Sequence, residues 1–126
     1  MLLICHFALD PVEAENFVPR ARRALGLLTA QSGCLGGELG RCPDDTTRWV
    51  LVARFESVVA YRRALSPFEV REQVIPLLSE ALTVQPGGFE VLATAQGGAV
   101  ADHATLLVAD TELTTDTGTR PGDSYR

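Results

Sequence analysis

The segment from Arg48 to Glu56 constrains this chain more than any other stretch. It alternates with a period of two. Trp49, Leu51, Ala53 and Phe55 share one face, and Val50, Val52, Arg54 and Glu56 share the other. A strand with apolar residues on both faces needs cover in front and behind. Leu2 to Leu9 is likewise apolar at both parities, and Phe89 to Gln96 reads as a final strand. Cys34 to Cys42, with Leu35 and Leu39 among Gly36, Gly37 and Gly40, predicts a weak, bulged strand. The turn residues Pro43 to Thr47 join it to the Arg48 strand as a hairpin.

Helices fill the intervals. Asp10-Pro11-Val12-Glu13 predicts a helix start, with Asp10 as N-cap, proline at the first position and Glu13 closing a capping box. Phe17, Ala21, Ala24, Leu25 and Leu28 recur on one face, with Gly33 as terminator. Pro19 lies inside this run and predicts a kink or bulge. Ser57 opens a short helix on which Val58, Tyr61 and Leu65 share a face. Ser66-Pro67-Phe68-Glu69 repeats the capping pattern, and Pro76 is expected to bend or split the helix that follows.

The order β-α-β-β-α-α-β predicts an α+β fold, a ferredoxin-like antiparallel sheet with helices on one face. Helices cover only one side of it. The other is expected to pack on a second sheet, most simply that of another copy in a C2 homodimer. The 126 residues make one domain, expected over residues 1–96. Residues 97–126 read as a tail, largely disordered or partner-swapped, in which 104–109 can pair as an edge strand.

Sixteen acidic against eleven basic residues leave a net charge of −5, which argues against a nucleic-acid or anionic-membrane surface. No stretch is long and apolar enough to span a bilayer, and the first ten residues lack the basic start of a signal peptide. Cys34 and Cys42 mark the two ends of one strand, about 25 Å apart at about 3.3 Å per residue, too far for a disulfide. Reduced thiols in a cytoplasmic protein are expected. Cys5, His6, Cys34, Cys42 and His103 have no paired metal-ligand spacing, so no metal is expected. Phosphate-cradling, dinucleotide-binding, zinc-protease and serine-hydrolase motifs are all missing.

The run Trp49-Val50-Leu51-Val52-Ala53-Arg54-Phe55-Glu56-Ser57-Val58-Val59-Ala60-Tyr61-Arg62 resembles the signature of the antibiotic biosynthesis monooxygenase family, as does the glycine-rich entry Gly33-Cys34-Leu35-Gly36-Gly37 without the family's proline. The resemblance covers about residues 1–96. It implies a dimeric α+β barrel. It also implies a cofactor-independent monooxygenase that takes molecular oxygen as co-substrate and oxidises a small aromatic or polyketide-like molecule. The family's cofactor-free oxygenases are similar in carrying an Asn within the third strand, a Trp at its end and a Tyr on the next helix. Here those places hold Leu51, Phe55 and Tyr61, so one of three is matched. The haem-degrading branch's Asn, Trp and His have His6, Leu65 and no histidine in their places, which largely excludes it.

The candidate catalytic residues are therefore His6 and Tyr61, with Trp49, Leu51, Phe55 and Leu65 shaping an apolar pocket. Each has a plainer reading beside it. Trp49, Leu51 and Phe55 serve equally as ordinary core. Tyr61 serves as a core tyrosine with its hydroxyl at the rim, or as a donor to, or base for, a phenolic substrate. His6 is either a general base or a half-buried imidazole bonded to a backbone carbonyl. Arg54 is expected to pair with Glu56 or Glu38 across strands. Two other functions fit the same fold: a non-redox cyclase or isomerase, and a non-catalytic dimeric binding module.

Overall fold

A computed structural model describes residues 1–84 and 87–104 of the chain. Four strands make the main sheet: β1 (Leu2–Ala8), β2 (Cys34–Arg41), β3 (Arg48–Phe55) and β4 (Gly88–Phe89), in the antiparallel order β2-β3-β1-β4. Four helices intervene: α1 (Pro11–Thr29), α2 (Val58–Ala64), α3 (Phe68–Gln73) and α4 (Ile75–Leu78). The fold is the α+β, ferredoxin-like arrangement expected from the order of elements.

Parity decides which residues enter the core. Leu3, Cys5 and Phe7 of β1 and Leu51, Ala53 and Phe55 of β3 are buried beneath the helices. Phe17, Ala21, Ala24 and Leu28 of α1 and Val70, Val74 and Leu77 further along meet them in a single cluster. Register places Leu3 opposite Ala53, Cys5 opposite Leu51 and Phe7 opposite Trp49 on this inner face. The outer face carries Leu2, Ile4 and His6 opposite Arg54, Val52 and Val50. These outer residues are all partly exposed. Arg54 reaches Glu38 on β2 through Nη1, at 3.0 and 3.2 Å from the two carboxylate oxygens. Glu38 was one of the two cross-strand partners anticipated.

The first helix begins as its sequence dictates. The Asp10 carboxylate accepts from Glu13 N at 2.8 Å, and Glu13 Oε1 accepts from Asp10 N at 2.9 Å. Pro19 does not break the helix: α1 is continuous from Pro11 to Thr29. Proline removes one backbone donor, and the packing of Phe17, Ala21 and Ala24 around it holds the helix together. The helix also stops before Gly33, whose positive φ of 88° instead turns the chain into β2. Pro76 splits the last helical run as expected, with Val74 ending α3 and opening α4. Ser66 does not cap α3; its hydroxyl donates to Arg63 O at 2.8 Å and closes α2, so α3 begins one residue later behind Pro67.

The strand expected over 89–96 is divided. Gly88–Phe89 pairs with Leu2 and Leu3, whereas β5 (Ala93–Gln96) pairs with β6 (Ala99–Asp102) in a separate two-stranded sheet. The first compact unit is Met1–Glu90 and the second begins at Val91. Gly97 and Gly98, at φ 58° and 86°, form the turn between β5 and β6, because a two-residue hairpin loop of this hand needs positive φ at both positions. Within the tail expected over 97–126, residues 105–126, including most of 104–109, lie outside the described residues.

Candidate functional site

Tyr61 is placed by α2. The Ser57 hydroxyl accepts from Ala60 N at 3.0 Å, which fixes the first turn, while Ala60 and Ala64 bury the helix on the sheet. Tyr61 then lies edge-on to Phe55 at the end of β3, with ring centroids 5.3 Å apart and planes at 65°. Its hydroxyl has no hydrogen-bond partner among the described residues. Burial pushes the phenol's pKa above its ordinary value, and the nearby Cys5 adds to that push. Cys5 is itself raised by burial. Both groups are consequently protonated at neutral pH, so Tyr61 is equipped to donate a hydrogen bond and not to act as a base. Leu51 is fully buried, and Leu65, one helical turn beyond Tyr61, packs partly buried on the core.

Trp49 shares the inner face but not the place. Six residues of extended strand separate it from Phe55, about 20 Å at about 3.3 Å per residue. It packs against Phe17 with centroids 6.0 Å apart, and Phe17 in turn against Phe7 at 4.7 Å. The Arg41 guanidinium lies 5.4 Å from the centre of the indole. The indole Nε1 is buried and lacks an acceptor among the described residues.

His6 occupies the outer face, opposite Val50. Its carbonyl accepts from Leu82 N at 2.7 Å, and its ring has no partner among the described residues. The six candidate residues thus fall into three places. Tyr61, Phe55 and Leu65 lie toward one end beneath the helices, Trp49 toward the other end with Leu51 two residues from it, and His6 on the reverse of the sheet. His6 and Tyr61 do not come together. Cys5, beside Tyr61, is turned inward by its pairing with Leu51 of β3, which the alternation within β1 alone does not decide.

Among the described residues no three His, Cys, Asp or Glu side chains gather as a metal site would require, and no helix is long and apolar enough to cross a membrane.

Comparison with known proteins adds to this geometry. The family model described as antibiotic biosynthesis monooxygenase matches residues 1–72. A solved antibiotic biosynthesis monooxygenase superposes with a TM-score of 0.54 at 17% identity, covering 84% of this chain and 99% of that one. A Mycobacterium tuberculosis protein gives 0.55 at 20% identity, over 83% of this chain and 93% of its own. A conserved protein of Methanosarcina mazei gives 0.56 at 13% identity, over 65% and 80%. No curated protein matches in sequence. At these identities the structural likeness speaks for the fold alone.

Proposed function

The chain belongs to the antibiotic biosynthesis monooxygenase family, and from that premise we propose that it is a cofactor-independent monooxygenase acting on a small aromatic or polyketide-like substrate. The observation that carries the reading is Tyr61: a protonated, half-buried phenol held edge-on to Phe55, its hydroxyl unclaimed among the described residues. Such a donor recognises the carbonyl or phenolate oxygen of an aromatic ketone and is best used when negative charge grows on that oxygen.

No carboxylate or imidazole is hydrogen-bonded to Tyr61 among the described residues, so the substrate must ionise on its own acidity. That favours molecules such as hydroxyanthrones, whose ring CH2 loses a proton readily to give an enolate. The hydrogen bond from Tyr61 stabilises this anion. Its carbon then reacts with oxygen: two C–H bonds are lost, one oxygen atom becomes the new carbonyl, and the other leaves as water. Molecular oxygen is the only oxidant needed, and neither metal nor organic cofactor takes part.

The working unit in this reading is a homodimer. Leu2, Ile4, Val50, Val52 and Phe89 form an apolar outer face around the Arg54–Glu38 pair, suited to packing on the same face of a second copy at about 10 Å. Oxygen uptake on adding a panel of hydroxyanthrones and quinols tests the function. Turnover that falls in Tyr61→Phe supports it; no uptake with any member of the panel overturns it. Product formed without oxygen would point instead to cyclase or isomerase chemistry.

A further inference from the structure

Trp49, the single tryptophan of the chain, has no part in the Tyr61 reading. It sits in a row across the sheet, between Phe7 of β1 and Arg41 of β2. Cys42 N donates to Arg48 O at 2.9 Å. Cys42 and Arg48 are thus a hydrogen-bonded pair, and Arg41 and Trp49 are the closer, non-bonded pair beside it. That closeness brings the Arg41 guanidinium to 5.4 Å from the centre of the indole, over its face. Phe17 meets the same ring edge-on at 6.0 Å, with Phe7 behind Phe17 at 4.7 Å.

Two donors are left over in this corner. The indole Nε1 is buried with no acceptor among the described residues, and a buried donor of this kind calls for an oxygen from outside the protein fold. Arg41 is exposed, and its guanidinium has the indole face as its only partner among the described residues. Its acidic neighbours on the hairpin are engaged elsewhere: Glu38 is held by Arg54, and Asp45 by Arg48 and Thr47.

We propose that Trp49 and Arg41 form a binding site for the carboxylate of a small organic acid, separate from the Tyr61 site. The indole nitrogen lies at the rim of the ring that the guanidinium covers. One carboxylate therefore accepts from Nε1 with one oxygen and from Arg41 with the other, while the guanidinium donates in its own plane and keeps its stacking. A monoanion fits better than a phosphate. One cation faces the corner, the rest of it is aromatic, and a second negative charge would go unpaired. Nε1 is covered in this structure whereas Arg41 is exposed, so the arginine side chain is the part that shifts to admit the acid.

With one tryptophan in the chain, a single indole N–H resonance reports on this site. Benzoate is the probe, at constant ionic strength, with benzamide as its neutral counterpart of the same shape. Benzoate is expected to move the indole resonance saturably, with a dissociation constant of about 1 mM or tighter. Arg41→Gln, which removes the charge at an exposed position, is expected to weaken binding at least about ten-fold, and benzamide to bind at least about ten-fold more weakly than benzoate. An indole resonance that stays in place at tens of millimolar benzoate overturns the site. So does one that moves equally with benzamide or equally in Arg41→Gln. Tyr61→Phe is expected to bind benzoate as the parent does, and a loss there matching that of Arg41→Gln overturns the separation of the two sites. Oxygen uptake, measured by itself, reports on the enzymatic reading.

Discussion

Phe55 and Tyr61, six positions apart in the chain, meet edge to face with ring centroids 5.3 Å apart. The contact joins the end of the strongest strand to the helix that follows it. Tyr61→Phe keeps this packing and removes only the hydroxyl. Oxygen uptake with a hydroxyanthrone is expected to fall at least about ten-fold in that variant. His6→Ala, altered on the far side of the sheet, is expected to retain turnover per dimer. Loss of activity in His6→Ala with full activity in Tyr61→Phe would reverse these roles.

Alkali should weaken the fold through the same neighbourhood. Tyr61 and Cys5 titrate above their ordinary values of 10.0 and 9.0 in the folded chain. The unfolded chain therefore releases both protons first as pH rises. Their contribution is complete below about pH 9 and is lost progressively as the medium becomes more alkaline through the raised folded values. Urea unfolding from pH 7 to pH 11 is expected to show a falling midpoint. Tyr61→Phe, which has no phenolic proton to lose, is expected to flatten that fall.

Two glycines answer oppositely to the same substitution. Gly26 lies in α1 with open space where a Cβ would stand, so Gly26→Ala is expected to stabilise by about 0.5–1 kcal/mol. At Gly37 a Cβ would come within 2.6 Å of the backbone oxygen of Val52, which cannot swing aside. Gly37→Ala is expected to cost about 1–3 kcal/mol. Thermal melts of the two variants separate these outcomes.

The two helix starts that carry a proline after the capping candidate, at Asp10 and Ser66, also differ. Asp10→Ala removes half of a reciprocal capping box and is expected to cost about 1 kcal/mol. Ser66→Ala touches no cap of α3 and is expected to stay within about 0.5 kcal/mol of the parent. Chemical denaturation at neutral pH measures both.

Much of the fold was legible because burial follows parity. Trp49, Leu51, Ala53 and Phe55 alternate with polar or smaller residues strongly enough to identify the helix-facing side of β3. The helix starts at Asp10 and Ser57 were carried by side chains that bond the backbone locally. The site was less legible. β1 is apolar at both parities, so nothing in its sequence says whether His6 or Cys5 turns toward the helices; only pairing with β3 decides it. Trp49 and Phe55 share a face, and face alone conceals that extended chain carries them to opposite ends. Pro19 lies inside a helix that its apolar face already supports, because packing along the whole face outweighs one missing donor.

The order of strands has a consequence for how the molecule assembles. Both neighbours of β1 come later in the chain, and Leu2 waits for Arg54 and Phe89. On the ribosome the first strand can find no partner until the β2–β3 hairpin has emerged. Until then its oily side chains must be kept from other nascent chains, which makes the α1 segment, synthesised next, its natural early shelter.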